Sequence, residues 1–225
     1  MKKLVVGIPT LNRADLLERC MRLVMGQLDK VEKIIIVDNG DQNIPYANLP
    51  MVEVIKNPKN VGVCASWNQI IDCAFNKHNA DWVLVLNDDV VLHQKQLTTS
   101  VHPLIEHHHD KWLLVSPFYW SAWAMSKEGA KQLEYDKKKW FDEKLFPGYY
   151  GDNDMQWRIE NMDRTKLALG VSLLTPEICD NSMTLKQAPE LKMGIAQSAQ
   201  YYFQKWGGGP NMEKFKQPFN GTVAS

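Results

Sequence analysis

Apolar residues follow two rhythms along the first half of the chain. Short runs rich in Val, Ile and Leu occupy Leu4 to Pro9, Val31 to Val37, Met51 to Ile55 and Trp82 to Leu86. Between them, apolar positions recur every three or four residues. Ala14 to Gln27 carries Leu16, Leu17, Cys20, Leu23 and Val24 on one face, and Val63 to Asn76 carries Trp67, Ile70, Ile71 and Ala74. The runs predict strands and the spaced stretches predict helices. Ile34 to Val37 and Trp82 to Leu86 are wholly apolar, as expected of strands covered on both faces. Strand and helix in alternation predict an α/β fold, a mostly parallel central sheet flanked by helices.

The second half is less regular. Gln94 to Ile105 predicts a helix, Trp112 to Val115 a strand, and Ser126 to Leu133 a short helix capped by Ser126. Asp136 to Tyr150 is charged and aromatic, with a turn at Pro147-Gly148. Asp152 to Met162 predicts a helix with acids in its first turn, where the helix dipole favours them. Leu167 to Leu174 predicts a strand, and Ala196 to Trp206 a helix stopped by Gly207-Gly208-Gly209-Pro210. No repeat or low-complexity linker divides the chain, so a single domain over residues 1–225 is expected.

Composition narrows the classes. With 225 residues, 44% hydrophobic and 23% charged, the chain can bury a sizeable core, which excludes disorder for most of it. Lys plus Arg is 26 and Asp plus Glu is 26, so there is no electrostatic footprint for nucleic acid or an anionic membrane. The least polar later stretch, Trp112 to Met125, is broken by Ser116, Pro117 and Ser121 and is shorter than the roughly 20 apolar residues of a membrane span. The N-terminal lysines and apolar run are interrupted from Pro9 to Arg13, unlike a secretory signal. Cys20, Cys64, Cys73 and Cys179 form no CxxC pair and no clustered spacing with His, which reads as reduced thiols and a cytoplasmic location.

Candidate chemistry gathers where the strands end. In open α/β sheets ligands bind beyond the carboxyl ends of the strands. Here those ends are Pro9-Thr10-Leu11-Asn12-Arg13, Asp38-Asn39-Gly40, Asn57 through Gly62, and Asn87-Asp88-Asp89. On one edge of a sheet they would line a single crevice. Asp38-Asn39-Gly40 is also a good turn by itself. Asn87-Asp88-Asp89 reads either as a capped, solvated turn or as a site for a hard divalent cation. At Gly151-Asp152-Asn153-Asp154, the two acids point different ways at a helix start; capping is the plainer account, and a general base over a crevice the alternative.

Taken together, eight short pieces in order resemble a nucleotide-sugar-dependent glycosyltransferase of the GT-A fold, similar to family 2 and its small bacterial, phage and large-virus members. They are Gly7 to Arg13, Ile35 to Gly40, Asn57 to Gly62 with Asn68, Leu86 to Val90, Ala122 to Glu128, Trp140 to Glu143, Tyr150 to Arg158 and Tyr201 to Gly208, within residues 3–208. The resemblance implies one Rossmann-like GT-A domain, with about residues 1–100 as the nucleotide-sugar half and about 101–225 as the acceptor and base half. It implies a metal-dependent, inverting transfer of a hexosyl unit from a nucleotide sugar, expected to be a UDP-sugar, to a hydroxyl of a glycan, glycolipid or glycoprotein. Pro9, Thr10, Asn12, Arg13 and Asp38 would hold base and ribose, and Asn60 and Asn68 would shape the neighbouring loop. Asn87 and Asp88 would sit at ribose and metal, Asp89 would ligate Mn2+ or Mg2+, and Asp152 would be the catalytic base. Asn87 replaces the first acid of the family's metal motif, and Gly151 replaces the glutamate that usually precedes the base.

Two other readings are weighed. A sugar-1-phosphate nucleotidyltransferase would have a Gly-rich loop after the first strand, and Pro9 to Ala14 contains no glycine. A non-catalytic nucleotide- or glycan-binding module would not need Asp38, Asp89 and Asp152 together. Trp120, Trp123, Tyr149, Tyr150 and Trp157 form either a sugar-stacking platform or core. Gly207-Gly208-Gly209 reads as a mobile flap in preference to a plain helix stop, and His107-His108-His109 as a solvated helix end.

Overall fold

The four apolar runs of the first half become strands β1 (Leu4–Thr10), β2 (Lys33–Asp38), β3 (Val52–Lys56) and β4 (Trp82–Leu86). The computed structural model describes residues 2–92, 94–117, 120–173 and 191–221. The spaced stretches become α1 (Ala14–Met25) and α2 (Val63–Asp72), the latter running on through a π turn at Cys73–Lys77. In the second half, β5 (Leu113–Val115), β6 (Ala122–Ser126) and β7 (Leu167–Ala168) complete the sheet, and α3 (His102–His107), α4 (Lys127–Leu133), α5 (Gly151–Asp163) and α6 (Leu191–Trp206) cover it.

Among the described residues the sheet has seven strands, in the order β3-β2-β1-β4-β6-β5-β7. The β1–β2, β2–β3, β1–β4 and β5–β7 pairs are parallel, and only β6 runs against its neighbours. One face of β1, β2 and β4 (Val5, Ile35, Val37, Val83, Val85) packs on α2, α5 and α6; the other (Leu4, Val6, Ile8, Ile34, Ile36, Leu84) packs on α1 and the segment around α3. Pro9 donates no ladder hydrogen bond, but the β1–β4 register ends at Gly7–Val85, so a central strand tolerates it.

The second half departs from the pattern-based expectation in three places. β6 was not expected: its Ala-Trp-Ala-Met-Ser sequence has no β-branched residue, and it becomes a strand because β4 and β5 clasp it on both sides. Gln94 to Ile105 is not one α-helix but a π turn (Leu97–Val101) leading into α3. β7 is two residues long instead of eight; pairing lapses at Leu169 and Gly170 and returns as one Val171 N–H to Val115 carbonyl bond, while Leu174 lies outside the described residues. Elsewhere the expected cap holds: Ser126 Oγ accepts from the Gly129 N–H at 3.0 Å.

Candidate active site

β1 and β4 are neighbours in the sheet, yet the chain visits β2 and β3 between them. That makes their carboxyl ends a topological switch point, where open α/β sheets hold ligands. Thr10 closes β1, Asp38 closes β2 in register with it, and Asn87-Asp88-Asp89 follows β4. Thr10 Oγ1 donates to Asp88 Oδ2 at 2.7 Å and so bridges the switch point. Gln42 Nε2 donates to Thr10 Oγ1 at 3.1 Å and to Asp38 Oδ1 at 3.3 Å. The structure therefore brings Thr10, Asp38 and Asp88 together.

Asp38 is fully buried. Its Oδ1 also accepts from the Gly40 N–H, whereas Oδ2 has no hydrogen-bond partner and lies 3.9 Å from Lys56 Nζ. A buried, unpartnered carboxylate oxygen is costly unless something donates to it. Beside it lies a cavity of 460 Å³ walled by Asp38, Gln42, Ile44, Tyr46 and Lys56. Asn12 takes the left-handed region (φ 53°), which Asn tolerates, and its Oδ1 accepts from the Asp41 N–H at 2.9 Å, tying the loop after β1 to the loop after β2. Arg13 is largely buried and its guanidinium lies against Asp15 at 3.3 Å. Asn39 and Asn57 form a buried amide network with Ser66 and Gln69 that fixes the ends of β2 and β3 on α2. Asn60 turns its Oδ1 back to the Gly62 N–H at 2.9 Å and shapes that loop. Asn68 does not join the strand ends: its side chain binds Trp140, Phe141 and Glu143 and pins that segment to α2.

Burial and, less strongly, the neighbouring Asp89 charge raise the Asp88 carboxyl to about 6 against the pull of Thr10's hydrogen bond. The Asn87 N–H is held by the Ser121 carbonyl, and the Asp89 carbonyl accepts from Arg19 Nη2 at 3.4 Å. Two adjacent carboxylates that repel each other in a part-buried turn are a hard-oxygen donor set, and a divalent cation would relieve both the repulsion and the burial. The residues present fit such an ion.

The second acidic site lies at the start of α5. Tyr150 caps the helix in the left-handed region (φ 70°). A Cβ on Gly151 would meet Cys64 Sγ at 2.4 Å, so glycine lets α5 seat closely on α2, and a larger residue there would have to displace that thiol. Asp152 and Asp154 part company, as their spacing predicts. Asp154 is buried, accepting from Trp206 Nε1 at 2.8 Å and ion-paired to Lys205 Nζ at 2.6 Å. Asp152 is half-buried and, among the described residues, has no cation paired with it; burial raises its carboxyl, opposed by hydrogen bonding from the Asn153 N–H. Its Oδ1 accepts that N–H at 2.9 Å.

Lys205 also pairs with Asp142 Oδ2 at 2.8 Å, and Tyr201 donates to the same oxygen at 2.9 Å. Burial pushes Asp142 up, but the Lys205 charge and hydrogen bond outweigh it and hold the carboxyl below its usual range. This network and the Gln42 and Arg19 contacts were missed in the sequence. The available signal for Lys205 was its place next to Trp206 and three residues after the core residue Tyr202; Gln42 and Arg19 gave none.

The alternative left open for the aromatic residues is decided by packing. Trp120 and Trp123 are no sugar platform: with Trp67 and Phe141 they form a buried aromatic cluster, centroids 4.7–6.4 Å apart. Trp157 donates to the Phe215 carbonyl, Tyr150 stacks on Tyr202, and Tyr149 is exposed. The glycines after α6 form a helix stop: Gly207 turns left-handed (φ 72°), its N–H returns to the Phe203 carbonyl, and Phe215 packs over it while its N–H bonds Trp206.

The profile described as Glycosyl transferase family 2 matches residues 5–141, more than half of the chain, and the protein belongs to that family. Its fold is similar to that of the mannosyltransferase PcManGT from Pyrobaculum calidifontis, solved with GDP-Man and Mn2+ (TM-score 0.56, 14% identity, 88% of this chain and 64% of that one). It is also similar to S. aureus TarS (TM-score 0.59, 13% identity, 78% of this chain and 35% of that one). A third similar structure is the glucosyl-3-phosphoglycerate synthase from Mycobacterium tuberculosis, with Mn2+, UDP-Glc and phosphoglyceric acid (TM-score 0.50, 12% identity, 88% and 80%). The chain thus spans less than two thirds of the first two. No curated protein matches it. Among the described residues, no helix is long and apolar enough to cross a membrane.

Proposed function

We propose that this protein transfers a hexosyl unit from a nucleotide sugar, a UDP-sugar in our reading, to a hydroxyl of a glycan, glycolipid or glycoprotein in the cytoplasm, with inversion at the anomeric carbon. The observation that carries the reading is the meeting of Thr10, Asp38 and Asp88 at the β1–β4 switch point, with a buried Asp38 oxygen left to accept a hydrogen bond. Residues from about 1 to 100 hold the donor. Asp38 accepts from a pyrimidine N–H, Gln42 steadies it, and Pro9, Thr10, Asn12 and Arg13 form the loop against base and ribose. Asn60 orders the neighbouring loop, and Asn68 serves it indirectly through α2. Asn87 and Asp88 face the ribose side, and Asp89 with Asp88 would hold Mn2+ or Mg2+. Such a cation supplies charge neutralisation to the departing diphosphate.

Residues from about 101 onward bring the acceptor. Asp152, with its basicity increased by burial and no cation to quench it, takes the proton of the acceptor hydroxyl as that oxygen attacks. The attack comes from the face opposite the diphosphate, so the configuration inverts. The mannosyltransferase and synthase solved with Mn2+ and a nucleotide sugar support the donor class. The test is a panel of UDP-, dTDP- and GDP-sugars incubated with wild type and Asp152→Asn. Manganese-dependent release of nucleoside diphosphate by wild type, lost in the variant, is expected. Release of pyrophosphate from sugar phosphate and nucleoside triphosphate would identify a nucleotidyltransferase and overturn the reading, as would silence toward every donor.

A further inference from the structure

At the far end of α2 from the loop that faces the crevice, three ligand-type side chains of different chemistry meet. Glu53 comes from β3, Cys73 opens the π turn and His78 follows it. Cys73 Sγ donates to Glu53 Oε1 at 3.3 Å, His78 Nε2 lies 2.9 Å from Glu53 Oε2, and one ligand atom from each of the three lies within 4.8 Å of the others. Cys73 is buried and the other two are half-buried.

The sequence hid this group for a geometrical reason. In an α-helix, residues five apart are separated by about 140° around the axis, on different faces. Here the helix widens: the His78 N–H bonds the Cys73 carbonyl at 3.1 Å, the i to i+5 bond of a π turn, and both side chains reach Glu53. Such turns inside α-helices are uncommon and occur frequently at functional sites. α2 rises about 1.5 Å per residue, so Cys73 lies roughly 15 Å along it from Val63, away from the Asp88–Asp89 turn.

We propose that Glu53, Cys73 and His78 form a second metal site, selective for Zn2+ over the oxygen-seeking Mn2+ or Mg2+ of the donor crevice. One thiolate, one imidazole and one carboxylate are a tetrahedral zinc set with the fourth position left for water. Without metal, Lys77 Nζ occupies Glu53 Oε1 at 2.6 Å. On binding, the Cys73 thiol gives its proton to solvent, its sulfur pair goes to the metal, and the Lys77 ammonium returns to water. The charge balances: carboxylate, ammonium and neutral thiol sum to zero, as do Zn2+, carboxylate, thiolate and neutral imidazole. Cys73 to His78 leaves four residues between ligands, and the β3 carboxylate closes the loop from the sheet, so the ion would staple the end of α2 to the edge of the sheet.

Co2+ is the probe, titrated into the full chain carrying Asp89→Asn so that the donor crevice is silent. One Co2+ per chain with a thiolate-to-cobalt charge-transfer band, bleached by Zn2+, is expected. Cys73→Ser abolishes the band, His78→Gln weakens binding about tenfold or more, and Lys77→Ala, which removes the competing ammonium from an exposed position, tightens it about fivefold. Absence of the band in the Asp89→Asn parent overturns the site whatever the variants do. A band that persists in Cys73→Ser, or binding indifferent to both His78→Gln and Lys77→Ala, overturns it as well.

Discussion

The two halves of this molecule build polar sites by opposite means. In the β1–β4 half, functional side chains sit at the ends of parallel strands, where the backbone fixes them to within a residue and short hydrogen bonds such as Thr10 to Asp88 finish the job. In the second half, the start of α5 is placed by a buried ion network in which Lys205 from α6 bridges Asp142 and Asp154 across 63 and 51 residues of chain. The first strategy leaves carboxylates such as Asp38 and Asp88 underpaired and ready for ligand. The second holds Asp142 and Asp154 on Lys205, although Asp154 Oδ2 keeps no hydrogen-bond partner, and of these three acids around the start of α5 it leaves Asp152 without a cation. Ligand readiness here is a matter of which acids the fold declines to neutralise.

The comparison is broken most severely at Asp152. Asp152→Asn lowers kcat by about 10²–10⁴-fold while nucleotide binding in the other half stays unchanged, read by steady-state turnover beside calorimetry. With Asp152 as the proposed base, needed ionised and with its pKa raised by burial, the acid limb of kcat/KM should be shifted upward from a free carboxylate, the rate climbing as pH rises through it. Lys205→Met comes next. Removing one cation from two buried carboxylates costs about 3–5 kcal/mol in denaturant unfolding, and Lys205→Arg recovers part of it.

A smaller effect sharpens the donor side. In metal-free protein the folded-state pKa of Asp88 is about 6, above its unfolded value of 3.8, so its ionisation opposes folding. Wild type and Asp88→Asn should be equally stable near pH 3.5. As pH rises from about 4 to 6 the variant should become more stable by about 2–3 kcal/mol, and the gap should close when Mn2+ is added. The smallest is Ser126→Ala, which removes the α4 cap at a cost of about 1 kcal/mol and leaves both sites intact.

Legibility in the sequence divides along the same line. β1 to β4, α1 and α2 announce themselves because apolar runs and helical spacing are local signals, and polar residues just past a buried strand must lie at a sheet edge. Thr10, Asp38 and the Asn87-Asp88-Asp89 turn are found that way. Asn68, on a predicted helix, is expected to shape the neighbouring loop but pins Trp140 to Glu143, since a buried amide on a helix serves whichever backbone happens to cross it. β6 escapes because its five residues include no β-branched side chain and only Trp123 favours a strand, and the Lys205 network escapes because no window of sequence contains its three partners. The replacement of a glutamate by Gly151 becomes intelligible only once Cys64 is seen beneath it.

The central claim is that the ends of β1, β2 and β4 form a cation-dependent nucleotide site. Calorimetric titration of UDP into the protein with Mn2+, then with chelator, and again with Asp89→Asn tests it most directly. The account predicts binding with Mn2+, and at least a tenfold loss both on chelation and in the variant. UDP binding that is equally tight in all three, or absent in all three while dTDP and GDP also fail, would contradict it.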